Sequence, residues 1–406
     1  MTSLLSGPDR RDGMESLRSQ TSRLGARPTG DDDLMAALER SDLRGRGGAG
    51  FPVATKWGSV ASAQDSRRSV VVNGAEGEPL SYKDRLLMET RPHLVLDGAA
   101  LAAEAVGAAA VILYVGDAHS TSRSALQRAL LERPTRERRR TRLVTAPARY
   151  IAGEETAAVH FVNDGVALPT TTPPRPYQSG IGGHPTLVQN VETLAHVAMI
   201  ARFGDGWFRA LGTGSPGSVL LTLSGSVGAA GVIEVAGGTT IATALERAGG
   251  LTASPQAVLL GGYFGQWVEA TAALSMPLDG VTLRAAGFTL GCGVLAVLPD
   301  KGCGVLETAR ILSYLADESA RQCGPCVFGL RAIAEAVARI SGGIAEPDDL
   351  ERARRWAGQL RGRGACHHPD GAVALLASAL RVFEDEFEVH LNLRRCDRGT
   401  RLRRAA

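Results

Sequence analysis

Ser69-Val-Val-Val-Asn-Gly-Ala-Glu-Gly-Glu-Pro79 is the stretch on which the fold prediction depends most. Its β-branched start predicts a short buried strand, which ends at Asn73 and Gly74 and opens into a loop. Open α/β sheets bind ligands at the carboxyl ends of their strands, so the amide and two carboxylates of this loop could hold sugar or ribityl hydroxyl groups. An ordinary acidic loop is the simpler interpretation of these residues taken alone.

Strands and helices alternate on both sides of this stretch. A short helix is predicted over residues 34–43, with the aspartates at 31–33 supplying a cap. Further on, the pattern predicts helices over 93–106 and 122–133 and strands over 110–115 and 143–151. This alternation predicts an α/β layered domain over residues 34–212.

The remainder of the chain changes character twice. Residues 213–285 are predicted to form a small α+β domain, with one helix at 239–248 and strands at 219–224, 231–235, 258–260 and 281–283. Residues 286–393 are predicted to form a linker strand and a helical bundle, since apolar residues there recur three or four positions apart. Residues 1–33 are expected to be a flexible N-terminus, and 394–406 a basic tail.

Composition limits the classes of protein that remain. A chain of 406 residues is too long for one core, and its net charge of +3 gives no case for nucleic acid. No apolar run reaches the roughly 18 residues that span a bilayer, and the N-terminus lacks the apolar core of a signal peptide. We therefore expect a cytoplasmic protein that reaches a membrane only through a partner.

Lysine is scarce in this chain, because the basic residues are almost all arginine. It occurs only at Lys56, Lys83 and Lys301. A lysine retained in such a chain is a weak indication of a task that the planar guanidinium of arginine cannot perform. Bias in base composition explains the scarcity equally simply.

A glycine-rich segment over residues 44–52 could bind an anion. Glycines at 45, 47, 48 and 50 would let backbone N–H groups approach a phosphate closely, with Arg46 and Lys56 adding positive charge. No predicted strand precedes the segment, so it is not a typical dinucleotide fingerprint. A tight loop without a ligand is the alternative.

Two more polar segments each open a predicted helix. They are Tyr150-Ile-Ala-Gly-Glu-Glu-Thr156 and Gln189-Asn-Val-Glu-Thr193. Carboxylates and amides at such positions often serve only as helix caps or dipole partners. Neither segment identifies a ligand by itself.

These segments, in this order, resemble the flavin-bearing, NADH-oxidising subunit of respiratory complex I and its relatives in NAD-linked hydrogenases and formate dehydrogenases. The resemblance covers residues 35–390 and rests on residues 43–52, 56–57, 73–79, 83–85, 91–93, 150–156, 185–186 and 190–193. It implies a Rossmann-like flavin-binding α/β domain, then a small ubiquitin-like α+β domain, then a C-terminal helical bundle that binds a cluster.

The resemblance also implies the cofactors and the residues around them. FMN would be lined by Gly45, Arg46, Gly47, Lys56, Asn73, Glu76, Tyr150, Gly153, Glu154 and Asn190. Phe51 would stack on the nicotinamide nucleotide, with Glu78 and Glu155 close to it as the candidate catalytic carboxylates. The chemistry would be hydride transfer from NADH to the flavin ring.

The chain departs from the family pattern on the flavin and nucleotide sides. Ala75 stands where the family has an aspartate, which removes a hydrogen-bonding carboxylate from the flavin site. Ser59 replaces an aromatic residue, and Thr172 and Arg175 replace a lysine and a phenylalanine. The guanidinium of Arg175 could still stack on an adenine ring.

The six cysteines are not expected to form disulfides in a cytoplasmic chain, and the spacing of Cys323 and Cys326 suits a metal, a cluster or a redox pair. The resemblance makes Cys323, Cys326 and Cys366 ligands of a 4Fe–4S cluster, but Ala320 occupies the place of the first of the family's four cysteines. Three outcomes are open: a cluster completed by His367 or His368, a zinc site, or an empty remnant.

Three functions follow from this pattern. The first is an FMN-dependent NADH dehydrogenase component that passes electrons to an iron–sulfur partner, such as a ferredoxin or a thioredoxin-like cluster subunit. The second is a flavin electron-transfer module driven by partner proteins, with weak or no NADH activity. The third is a non-catalytic scaffold or ligand-binding paralogue.

Overall fold

The computed structural model describes residues 3–394, together with Cys396 and Arg398. These residues form two compact units. The first contains the described residues up to 77, with 82–220 and 234–238, and the second contains 78–81, 221–233 and the described residues from 239 onward. Among the described residues, none of the helices combines the length and hydropathy needed to span a bilayer.

The first unit contains a parallel sheet with helices around it. Its strands are β1 (Arg68–Gly74), β2 (Ala108–Gly116), β3 (Thr141–Ala146) and β4 (Thr186–Asn190). Its helices are α1 (Leu17–Leu24), α2 (Asp32–Ser41), α3 (Val53–Ala61), α4 (Lys83–Thr90), α5 (Pro92–Ala105), α6 (Ser120–Glu132), α7 (Thr135–Arg140), α8 (Glu155–Asp164) and α9 (Val191–Ala210).

The strand order of this sheet is β3-β2-β1-β4. All neighbouring pairs are parallel, and Asn73 of β1 lies in register with Asn190 of β4. The order reverses between β1 and β4, and at such a reversal the connections leave in opposite directions and open a crevice at the carboxyl ends of the strands. The polar segments after β1, β3 and β4 all start at that edge.

Helices cover both faces of the parallel sheet. On one face, Val71, Ile112 and Tyr114 pack against Ala158 of α8 in a buried apolar cluster. On the other, α5 packs against β1, β2 and α9. A Cβ atom on Gly98 would lie 2.0 Å from the carbonyl oxygen of Leu194, so this close approach of α5 and α9 requires glycine.

The N-terminal segment is more ordered than the sequence predicts. Helix α1 lies within the first 33 residues, and the amide of Gln20 donates to the buried carboxylate of Asp97 at 2.7 Å. The guanidinium groups of Arg133 and Arg202 donate to the same carboxylate, each at 2.6 Å. The pattern does not reveal this helix because most of its side chains are polar, and its anchor is a distant buried charge.

The second unit is built on a mixed sheet and a group of helices. The sheet has the order β6-β5-β9-β7-β8, and β5 and β6 contribute residues to both units. The strands are β5 (Ser218–Gly225), β6 (Gly231–Ala236), β7 (Pro255–Leu260), β8 (Gln266–Glu269) and β9 (Val294–Pro299). The helices are α10 (Ile241–Arg247), α11 (Ala270–Ser275), α12 (Gly280–Ala285), α13 (Gly304–Asp317), α14 (Arg331–Ser341), α15 (Asp349–Leu360), α16 (His368–Val382) and α17 (Glu384–Leu393), with a π-helical turn at Pro325–Leu330.

Two predictions for this unit differ from the structure. The strand predicted over residues 281–283 is wrong, because those residues lie in α12, whose first N–H groups are capped by Asp279 at 3.2 and 2.8 Å. Strand β9 lies beyond residue 285, yet it is the central strand, parallel to β5 and antiparallel to β7. The predicted domain boundary at residue 285 therefore separates β9 from the sheet to which it belongs. A single sequence does not show which distant strands pair, so this boundary could not be placed correctly from the sequence.

Candidate functional site

The glycine-rich segment forms a loop tied at both ends. The backbone N–H of Gly45 donates to the carbonyl of Phe51 at 2.9 Å, which closes the loop on itself. The N–H of Arg46 donates to the hydroxyl of Thr193 at 2.9 Å, which joins the loop to the first turn of α9. Gly48 and Gly50 have φ angles of 110° and 63°, where a side chain would be strained.

Asn190 connects this loop to the carboxyl end of β4. A Cβ atom on Gly47 would lie 3.3 Å from the Cβ of Asn190, so the two residues are already in close contact. The side chain of Asn190 accepts the N–H of Thr193 at 3.3 Å as the cap of α9. Its amide group donates to Asp84 at 2.6 Å. Asn190 therefore fixes the loop, α9 and the start of α4 relative to one another.

The segment after β3 meets the loop after β1. The amide of Asn73 donates to the carbonyl of Gly153 at 2.8 Å. A Cβ atom on Gly77 would lie 2.8 Å from the carbonyl oxygen of Tyr150, so backbone approaches backbone here without a side chain between. The structure thus brings Asn73, Tyr150 and Gly153 together at one edge of the sheet, where the carboxyl ends of its parallel strands lie.

Two of the predicted flavin-site carboxylates serve as helix caps. Glu76 accepts the N–H groups of Asp84 and Arg85 at 3.0 and 2.9 Å, at the start of α4. Glu154 accepts the N–H groups of Thr156 and Ala157 at 3.0 and 2.9 Å, at the start of α8. These contacts compensate the helix dipoles, and they place both carboxylates near the carboxyl ends of the parallel strands.

A buried lysine pairs with two carboxylates close to this edge of the sheet. Lys83 is 2% exposed, and its ammonium lies 2.9 Å from Asp84 and 3.0 Å from Glu192. Burial by itself raises the pKa of Glu192, but the Lys83 ammonium, with His196 and Arg46, outweighs burial and lowers it to about 2. The sequence indicated Lys83 through the scarcity of lysine and the resemblance at residues 83–85, but it did not predict this network of ion pairs.

The residues predicted to contact the nucleotide include the exposed ring of Phe51 and the ion pair between Lys56 and Glu155. Phe51 is 52% exposed, which leaves a face available for stacking. Lys56 lies 2.8 Å from the carboxylate of Glu155, and a guanidinium nitrogen of Arg175 lies 4.0 Å from it. Ser59, which stands where the family has an aromatic residue, offers no ring for stacking. Its hydroxyl donates to the carbonyl of Thr55 within α3.

Two further predicted positions have surroundings of their own. Ala75 is buried and belongs to the apolar cluster with Val71 and Tyr114, so an uncharged side chain suits it. Glu78 belongs to the second unit, where its carboxylate accepts the N–H groups of Tyr263 and Leu80 at 2.9 and 3.3 Å.

The three predicted cluster ligands approach one another in the second unit. The backbone N–H of Cys326 donates to the carbonyl of Cys323 at 3.0 Å, and the thiols of Cys323 and Cys366 lie near enough to affect the pKa of the Cys326 thiol. Burial, with the neighbouring sulfurs, raises the pKa of Cys326 to about 12. Ala320, in the place of the first of the family's four cysteines, is buried. Three sulfur donors suit an iron–sulfur cluster, with one position left for another ligand.

The two histidines that follow Cys366 differ in how far their side chains are exposed to solvent. The Nε2 of His368 lies 2.7 Å from the carbonyl oxygen of Leu315, and the ring is buried against Phe264. The side chain of His367 is 97% exposed, with its Nδ1 3.5 Å from Asp370. Of the two rings, that of His367 is the exposed one.

Two family models match this chain. The Nuo51 FMN-binding domain matches residues 38–199, and the iron–sulfur binding region of NADH-ubiquinone oxidoreductase-F matches residues 307–390. The chain is 34% identical over 379 residues to the second NADH-quinone oxidoreductase F protein of Rhizobium meliloti, covering 90% of each chain. The chain belongs to the NADH-quinone oxidoreductase F family. The family member of Streptomyces coelicolor is 31% identical over 95% of this chain and 88% of that protein.

Solved structures support the same membership. A chain of an NAD+-reducing NiFe hydrogenase in the H2-reduced state superposes with a TM-score of 0.80 at 32% identity. The match covers 88% of this chain and 62% of the hydrogenase chain, so the present protein spans less than two thirds of that one. The predicted family and α/β fold class are confirmed, and the family models support the predicted FMN and iron–sulfur cofactors.

Proposed function

We propose that this member of the NADH-quinone oxidoreductase F family oxidises NADH through FMN and passes the electrons to an iron–sulfur partner. The observation that supports this most is the meeting of the glycine loop, Asn73 and Asn190 at the switch point of the parallel sheet. Open α/β sheets bind their ligands at that point. The relatives are subunits of NADH-quinone oxidoreductases and of an NAD+-reducing hydrogenase, which agrees with this reaction.

The flavin would be held by backbone and amide groups. Since the N–H groups of Gly45 and Arg46 already bond within the protein, we assign the phosphate to the N–H groups from Gly47 to Gly50, with the Arg46 side chain nearby. Asn73 and Asn190 would orient the rest of the molecule, beside the segment that contains Tyr150, Gly153 and Glu154, with Glu76 and Lys56 at the rim. When bound, FMN supplies the hydride-accepting chemistry.

The nucleotide would be placed by one ring and one ion pair. The exposed face of Phe51 would stack on it, and Glu155 would contact it, since Lys56 and Arg175 hold this carboxylate at a fixed position. The contact with Lys56 limits the rotation of Glu155, and a fixed side chain of this kind can position a substrate at a small entropic cost. Glu78 is bound to backbone N–H groups in the second unit, and we assign the catalytic contact to Glu155.

Electrons would leave through the second unit. Cys323, Cys326 and Cys366 would hold a 4Fe–4S cluster, with His367 or solvent as the fourth ligand. A ferredoxin or a thioredoxin-like cluster subunit would accept the electrons. The relatives are subunits of larger assemblies, which supports a partner of this kind.

A partner-driven flavin module is the second candidate. The observation that favours it is the state of the nucleotide side, where Ser59 and Arg175 stand in place of aromatic residues and the Ser59 hydroxyl is bonded to its own helix. Under this alternative the flavin is retained, but NADH is not the source of electrons.

A turnover assay on the FMN-loaded protein separates the two candidates. The full chain is incubated with FMN under anaerobic conditions, freed of excess flavin, and given NADH with ferricyanide as electron acceptor. NADH-dependent ferricyanide reduction in proportion to bound FMN supports the dehydrogenase. Bound FMN that dithionite reduces but NADH does not would contradict it and favour the partner-driven module.

A further inference from the structure

A second group of ligating side chains has no part in the proposed reaction. It consists of Cys303, just before α13, His390 in α17, and Cys396, which follows that helix. The three ligand atoms lie within 4.8 Å of one another, and the Cys303 sulfur is 3.2 Å from Nε2 of His390. Cys303 and His390 are buried, and Cys396 is exposed.

The spacing suits a tetrahedral ion. Bonds of about 2.3 Å to sulfur and 2.0 Å to nitrogen place ligand atoms roughly 3.5 to 4 Å apart. The observed separations, from 3.2 Å to at most 4.8 Å, bracket that range, so the side chains need only small rotations to bind. Two thiolates and an imidazole are the donors that zinc prefers in proteins.

We propose that Cys303, His390 and Cys396 bind a zinc ion, with water in the fourth position. Binding displaces the two thiol protons to solvent and forms two zinc–sulfur bonds and one zinc–nitrogen bond, with no change of oxidation state. Two thiolates and one neutral imidazole around Zn²⁺ give a complex without net charge, which a mostly buried location tolerates far better than free thiolates.

One carboxylate holds the two cysteine segments in place. Glu386 accepts the backbone N–H of Gly304, next to Cys303, at 2.8 Å. It also accepts the guanidinium of Arg398, two residues after Cys396, at 2.9 Å. Glu386 thus links both sides of the group, as the outer contacts of metal sites do when they orient the ligands. The sulfur of Cys303 also accepts the N–H of Leu306 at 3.3 Å, a contact that a thiolate keeps.

The site would anchor the segment after α17 to the start of α13. The thiol of Cys396 donates to the carbonyl of Arg398 at 2.7 Å, and zinc would replace this contact. A disulfide between Cys303 and Cys396 is the competing arrangement, and it would use the same two sulfurs and exclude the metal. This proposal is independent of the flavin reaction.

Zinc binding by the full chain tests the proposal. The protein is prepared reduced and without oxygen, freed of zinc with a chelator, and titrated with Zn²⁺ against a chromophoric competitor. Cys396→Ser is compared with Cys292→Ser, a matched removal of a thiol that belongs to neither group of ligands. Because Cys323, Cys326 and Cys366 can also bind zinc, the readout is the difference between variants.

We expect Cys396→Ser to lose one equivalent of tight zinc, with affinity there falling more than ~100-fold, since even outer contacts are worth ~10- to 100-fold. Cys292→Ser should bind like the parent, and Cys396→His should recover the lost equivalent, which separates ligand loss from misfolding. Equal zinc uptake by the parent and Cys396→Ser would overturn the proposal. So would a Cys303–Cys396 disulfide found by mass spectrometry in the anaerobic protein.

Discussion

The ammonium of Lys56 lies 2.8 Å from a carboxylate oxygen of Glu155, and both side chains are partly exposed. An ion pair at this level of exposure contributes about 0–1 kcal/mol to the free energy of unfolding. Its value is therefore in positioning Glu155, and Arg175 on the other side of the carboxylate has the same effect.

Glu155→Gln should lower NADH turnover per bound FMN by roughly 10- to 100-fold, because the neutral amide no longer holds the position set by Lys56. FMN content should stay unchanged. The measurement is ferricyanide-coupled turnover beside flavin absorbance. Asp164→Asn, at the other end of α8, is the matched control and should leave both unchanged. Loss of flavin with unchanged turnover per remaining flavin would contradict the assignment.

Lys83→Met should destabilise the protein far more than Lys56→Met. The first change leaves Asp84 and Glu192 buried without their ammonium, at a cost of about 3–5 kcal/mol, and the second should cost at most about 1 kcal/mol. Urea unfolding of the two variants gives the comparison. Equal losses of stability in the two variants would contradict the claim that Lys83 compensates the buried charges of Asp84 and Glu192.

The charge of Glu192 predicts a pH dependence of stability. Its pKa is about 2 in the folded protein and 4.5 ordinarily, so the folded state favours the ionised form. The resulting stabilisation, about 3 kcal/mol, is fully present above pH ~4.5 and is lost as the pH falls through about 2. The loss begins near pH ~4.5 and is still below about 1 kcal/mol at pH ~4. Glu192→Gln should lack this part of the acid dependence. If the parent and Glu192→Gln lose stability equally as the pH falls, Glu192 does not contribute to the acid dependence of stability.

Ala320→Cys should raise the iron content of the reconstituted protein, because it supplies a sulfur where the family has the first of its four cysteine ligands. Cys326→Ser should lower iron content, and Cys292→Ser should leave it as in the parent. Iron and acid-labile sulfide per chain are the quantities to measure. If Cys326→Ser retains the iron of the parent, the three-cysteine site does not hold the cluster.

Patterns within single elements were predicted well. The β-branched run at β1 and the apolar start of β2 identify buried strands, and the polar segments after β1, β3 and β4 meet as strand order requires. The scarcity of lysine was also informative, because Lys56 pairs with Glu155, and Lys83 is buried in ion pairs with Asp84 and Glu192.

Contacts between distant residues were not predictable from one sequence. Glu76 and Glu154 each could face solvent, a ligand or a helix end, and only the positions of α4 and α8 show that they are caps. Strand β9 is central because of its partners, which no local pattern reveals. The pairing of Asp84 with Asn190 joins residues 106 positions apart.

The most direct test is an anaerobic spectrum of the FMN-loaded full chain, recorded before and after one equivalent of NADH. The account predicts oxidised flavin bands that bleach on addition of NADH, with a broad brown shoulder where the cluster is present. Flavin bands that persist with NADH but bleach with dithionite would contradict NADH oxidation by this chain. A protein that stays colourless after incubation with FMN would contradict the flavin site itself.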